Sequence, residues 1–231
     1  MSRPWNQQNL DPAFATTIFA CSFGDVGWHH IRKTLLEVDT NPHFNGANST
    51  LARFLQEFCP TSISTLAGVN DEEPLPLFVY PWGTFNHGAA TTIKSPLTSR
   101  FCGPSSKKFI SKEISRTVAL YQQMRQTGYT PQKFPNSYIA GTWLKALNGD
   151  QRFVVMQGNH RMAVLAHLRV RQISVRTTST CLRHVRECDL ANWPLVASGR
   201  CSVEHAHKVF SLFFEQTGWH VAKQMGFEHD G

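Results

Sequence analysis

Charge is scarce in this sequence. Only 17% of its 231 residues are Asp, Glu, Lys or Arg, below the usual quarter, while 11% are aromatic. A chain so poor in charge and so rich in Phe and Trp is not a disordered tail, a fibre or a coiled coil. Long hydrophobic runs are missing as well. No stretch approaches the ~18–20 apolar residues of a membrane-spanning helix. The apolar patch at 14–21 is broken by Thr16 and Thr17 and closes on Ser22-Phe23-Gly24. No signal peptide is read at Met1-Ser2-Arg3-Pro4-Trp5. The six cysteines include no Cys-x-x-Cys pair, which points to reduced thiols in a cytoplasmic protein. Cys181-x-x-His184-x-x-x-Cys188 lacks a regularly spaced fourth ligand, so no metal site is expected there. There is no internal repeat and no low-complexity tract.

Acidic residues are thin in one region. Residues 151–210 carry nine Lys or Arg against three acids, and this segment accounts for nearly all of the net charge of +7. Eight of the nine are Arg, whose planar fork suits phosphate. The partner implied is an anion: a phosphate, a nucleotide or nucleic acid.

The chain divides into three parts. Residues 1–70 form an N-terminal extension with helices predicted at Ile31–Val38 and Ser49–Phe58, the second stopped by Pro60. An acidic, proline-bearing stretch at 69–76 separates it from a core at 77–180. That core begins with an apolar strand, Leu77–Tyr80. A long helix covers about Lys107 to Gln126, with Ile110, Ile114, Val118, Tyr121 and Met124 on one stripe and Gly128 at its end. Tyr138–Leu147 and Arg152–Met156 read as a hairpin around Asn148-Gly149-Asp150, the strongest short turn signal. Met162–Leu168 is helical in period, and Ile173–Arg176 is a returning strand. Residues 181–231 are predicted to be a mostly helical appendage.

The junction Gly158-Asn159-His160-Arg161 carries the most chemistry. A helix N-terminus offers unpaired N–H groups and a partial positive charge. Gly158 permits a sharp turn and close backbone approach, and His160 and Arg161 fall in the first turn, within reach of an anion. The competing reading is an ordinary turn with Asn159 as cap and two solvated cations. Arg100, in a loop with Gly103 and Pro104, is a second candidate clamp.

The order helix, turn, strand, tight turn, strand, Gly-x-His-Arg, helix, strand resembles the ParB/sulfiredoxin-like family over about Lys107–Arg176, or Leu77–Arg176 with the first strand. The segment from Met156 to Leu168 is similar to the signature box of that family. The resemblance implies an α/β (α+β) fold with a mixed sheet and helical N- and C-terminal extensions. It also implies nucleotide phosphates bound at Gly158, Asn159, His160 and Arg161. Family members include partition proteins that hydrolyse CTP, sulfiredoxins that use ATP, and kinases of free serine. Asn159 stands where sulfiredoxin has its catalytic cysteine, and no clear helix pair for reading DNA follows the box. ATP or CTP with Mg2+ is therefore the implied cofactor of a phosphotransferase or NTP hydrolase. The combination of Pro81-Trp82-Gly83, Arg100-Phe101-Cys102-Gly103-Pro104 and the box also resembles proteins associated with bacterial surface-polysaccharide synthesis. This suggests a hydroxyl-bearing small molecule or sugar as substrate.

Catalytic candidates are His160, Arg161 and Glu113. Glu113 is a base or magnesium-orienting carboxylate by analogy with the serine kinases, or else a surface partner of Arg116 at i+3. Asp150 is read as a turn residue. His29 and His30 are read as structural, and Trp82, Trp143 and Cys102 as core residues with a lesser claim on a ligand. Two alternatives stay open: a non-catalytic scaffold for an anionic ligand, and a nucleotide-switched DNA-binding protein.

Overall fold

A computed structural model describes residues 7–69, 74–84, 101–133, 138–177 and 182–227. Their architecture is α/β: a six-stranded mixed sheet with helices packed against it. The strands are β1 (Gln7–Leu10), β2 (Ala15–Thr16), β3 (Ile139–Lys145), β4 (Gln151–Gln157), β5 (Ile173–Arg176) and β6 (His184–Arg186). The hairpin of β3 and β4 forms the centre, and its turn has Gly149 at φ 92°, as a tight turn requires. Sheet order is β1-β5-β3-β4-β2, with β6 parallel to the far end of β3. Gly141 lies in β3 where the chains approach most closely. A Cβ there would sit 2.1 Å from the Val154 carbonyl oxygen, and the strand register shifts beside it.

The boundary predicted near 70 does not part the sheet. β1 pairs antiparallel with β5, and β2 pairs parallel with β4. Residues 7–69 thus supply two strands, and residues 182–227 supply β6. One buried apolar cluster runs through all three parts, from Leu10 to Met225. Leu77–Tyr80, predicted as a strand, is instead a turn with Phe78 at φ 68°. Its apolar residues are buried because the turn plugs the aromatic cluster of Tyr80, Trp82, Trp193, Phe210 and Phe213. Burial without ladder pairing accounts for the misleading pattern.

The helices that build the site are α1 (His30–Thr40), α2 (Thr50–Glu57), α4 (Lys107–Thr127) and α5 (Asn159–His167). Between and after them come α3 (Ile63–Leu66), α6 (Pro194–Ala197), α7 (Val203–Glu215) and α8 (Trp219–Gln224). Ser106 starts α4 by accepting the Phe109 amide through Oγ, and Gly128 ends it at φ 70°. α1, α4 and α5 pack on one another. No helix among the described residues is long and apolar enough to cross a membrane.

Candidate functional site

The central strand leads straight into the site. Phe153, Val154 and Val155 of β4 are fully buried and anchor the strand. The chain leaves the sheet at Gln157, turns at Gly158 with φ 90°, and enters α5 at Asn159. No side chain caps this helix start, so its first-turn amides face the space ahead of it. A Cβ on Gly158 would lie 3.1 Å from Ile139 Cγ1 and 3.3 Å from Arg161 Nε. The bare glycine therefore lets the Arg161 guanidinium fold back over the turn. Burial lowers the Arg161 pKa from its ordinary value, opposed by the neighbouring Tyr129 phenol. Tyr129 in turn accepts the Ile139 amide at 3.1 Å, tying the loop after α4 to the first residue of β3.

A cleft of about 910 Å³ opens in front of this turn, walled by α1, α2, α4 and the start of α5. Gly158, Asn159, His160, Arg161 and Glu113 all line it. The α4–α5 packing brings Glu113 and His160 together: His160 Nε2 is 3.2 Å from Glu113 Oε2, with both side chains largely buried. The two are close but poorly aligned, and Nε2 has no well-formed hydrogen bond; we read the pair as a proximity contact between an imidazole and a carboxylate. The His160 imidazole holds the Glu113 carboxyl below the usual carboxylate range, with Arg116 and Lys112 contributing less and burial opposing. Arg116, expected as the helical partner of Glu113, is the looser contact at 3.7 Å and is mostly exposed. Lys112 and Arg116 join Arg161 on the cleft wall, which carries one described carboxylate, Glu113.

Arg100, the second clamp suggested by sequence, lies outside the described residues, as does Cys181. Cys102 is buried. Trp143 stacks edge-on against Phe153 at 5.1 Å, and Trp82 belongs to the aromatic cluster; neither lines the cleft. Asp150 donates its amide to Asn148 Oδ1 in the hairpin turn, the role read from sequence. Among the described residues no group of three His, Cys, Asp or Glu is arranged to hold a metal ion.

His30 is the cleft residue that sequence reasoning assigned to structure alone. His29 precedes α1 in extended conformation, and its Nδ1 accepts the Ile31 amide at 3.1 Å. His30 begins the helix and stacks on Phe54 at 3.7 Å and on His29 at 4.6 Å. Both rings are buried. Burial, with neighbouring His160 as a lesser cause, lowers His30 to about 3; burial, with His30 and Arg32 as lesser causes, lowers His29 well below its usual value, so both are neutral at neutral pH. Only His30 reaches the cleft.

No known family model and no curated protein matches this chain.

Proposed function

We propose that the protein is a nucleotide-dependent phosphotransferase, or an NTP hydrolase, acting through the cleft at the start of α5. The observation that carries this reading is the coincidence of an uncapped helix N-terminus, Arg161 and the His160–Glu113 pair in one cleft. Transfer of a phosphoryl group asks the protein for positioning, charge neutralisation and a proton acceptor near the attacking hydroxyl. The backbone at 158–160 and the Arg161 fork supply the first two to a phosphate chain. Glu113, kept ionised by His160, accepts the proton of the hydroxyl as its oxygen bonds to phosphorus and the nucleoside diphosphate leaves. His160 lies beside that carboxylate, 3.2 Å away.

ATP or CTP with Mg2+ is the proposed cofactor. Mg2+ binds through one or two carboxylates together with substrate phosphates; Glu113, the described carboxylate of the cleft, would be its protein ligand only in place of the base role. When bound, the nucleotide supplies the transferable phosphoryl group. The proposed acceptor is a hydroxyl-bearing small molecule or sugar. The same residues carry the resemblance to the ParB/sulfiredoxin-like family, which we propose as the finer fold assignment.

Consumption of ATP or CTP with Mg2+, measured across a panel of hydroxyl-bearing metabolites, is the direct test. Turnover with one acceptor, together with a ~10–100-fold loss of nucleotide affinity in Arg161→Ala, is the expected result; it corresponds to the ~1.5–3 kcal/mol of a charge-assisted hydrogen bond. Absence of turnover combined with unchanged affinity in the variant overturns the reading.

A further inference from the structure

Buried polar atoms without partners are rare in folded proteins, and each needs a reason. Three of them belong to residues that line the cleft, His30 Nδ1, Asn159 Oδ1 and His160 Nε2, and a fourth, His29 Nε2, to the ring stacked on His30. For His160 the Glu113 carboxylate stands nearby. His29 has one ring nitrogen engaged by the Ile31 amide and does not line the cleft. His30 and Asn159 are different. Both line the cleft, and among the described residues neither ring nitrogen of His30 has a hydrogen-bond partner. The His30 ring cannot turn away to find one, because it is clamped between Phe54 and His29.

We propose that this cleft contains a subsite for an uncharged hydroxyl-bearing group, gripped by the His30 imidazole with the Asn159 side-chain oxygen as second partner. The chemistry of the two partners selects the ligand. Asn159 Oδ1 only accepts, so the ligand must donate. A neutral imidazole donates from one nitrogen and accepts at the other. A hydroxyl does both and satisfies either tautomer. An anion would meet no positive charge on His30, which burial keeps neutral. Among the described residues no group of three His, Cys, Asp or Glu is arranged there to hold a metal ion by itself. Its place in the same cleft as His160 and Glu113 makes the subsite the seat for the phosphoryl acceptor, and that role rests on the function proposed above. The binding of a neutral hydroxyl group does not.

The test uses the full chain labelled with 15N at histidine, read through the ring nitrogens, with D-glucose and glycerol as uncharged hydroxyl probes. Acetate and methylammonium are charged controls. The expected result is a shift of the His30 nitrogens with a hydroxyl probe and none with either control. His30→Phe keeps the stack on Phe54 and removes both nitrogens. It is expected to weaken the responding hydroxyl probe about tenfold, as for loss of one hydrogen bond, while leaving ATP affinity unchanged; His30→Gln restores part of the loss. Response to a charged control, silence toward both hydroxyl probes, or undiminished binding in His30→Phe overturns the proposal. ATP binding without any hydroxyl response removes the subsite and leaves the function proposed above standing. A hydroxyl response without ATP or CTP binding does the reverse.

Discussion

Acidification should destabilise this protein well before its carboxylates titrate. His29 and His30 are buried neutral, with His30 lowered to about 3. His220, whose imidazole lies 3.0 Å from the Phe19 carbonyl oxygen, is lowered to about 4 by burial. In the unfolded chain each titrates near 6.5. Between that value and the folded ones, the unfolded state binds protons that the native state refuses, so stability rises with pH in this window and falls as pH drops through it. From about pH 7 to about pH 5 His30 and His220 cost about 2 kcal/mol each, and His29 and His184, also lowered, add in the same direction. The sum is comparable with the lower end of the stability of an ordinary domain, ~5–15 kcal/mol. Glu113 and Asp39 are also lowered in the folded state, but their contributions are lost only below their unfolded values of 4.5 and 3.8; they do not confound the window. Urea denaturation at about pH 7, 6 and 5 provides the measurement, with His220→Phe expected to remove about 2 kcal/mol of the pH dependence. A loss of less than ~2 kcal/mol across the range would refute the reasoning, because it would mean that these imidazoles charge in place.

Two further substitutions probe the site. Gly158→Ala places a Cβ at φ 90°, close to Ile139 Cγ1 and Arg161 Nε; it should cost ~1–2 kcal/mol in chemical denaturation from backbone strain alone and weaken nucleotide binding by displacing Arg161. Glu113→Gln should lower kcat by ~10²–10⁴-fold, as for loss of a general base, with circular dichroism unchanged and nucleotide affinity largely kept in calorimetry.

The strand-to-helix junction was legible because its signals are local. A Val-rich run, a glycine and a helical period are contiguous, and the observed break between Gln157 and Asn159 falls within them. The Asn148-Gly149 hairpin was legible for the same reason. What escaped is tertiary. Gln7-Gln8-Asn9-Leu10 has no apolar alternation, since β1 pairs through its backbone at the rim of the sheet, and β2 is two residues long. Glu113 could be matched in sequence only to Arg116 on its own helix. The closer contact, His160, comes from α5 and depends on how two helices pack. His29 and His30 were read as structural, with the helix predicted to begin only at Ile31. The helix instead begins at His30, and His29 precedes it in extended conformation, at φ −145°, so the rings stack 4.6 Å apart and His30 is carried to the cleft.

The basic excess of residues 151–210 also takes a different meaning once the side chains are placed. Arg152 lies over the rings of Phe14 and Phe214, and Arg176 over Tyr138. Arg186 is paired with Asp189, and Lys208 with Glu204. These four cations sit on separate elements and answer to aromatic faces and acids of the chain itself. A protein that tracks a nucleic-acid backbone needs the opposite arrangement: many cations on one continuous face, each released to a phosphate. Three described cations, Lys112, Arg116 and Arg161, line one cleft, and two of them come from α4, outside the basic segment. Charge counted along the chain points to an anionic partner of any size. Charge located in the fold agrees with the compact anionic ligand proposed above, since among the described residues the cleft brings three cations, one carboxylate and the neutral His30 within the same walls.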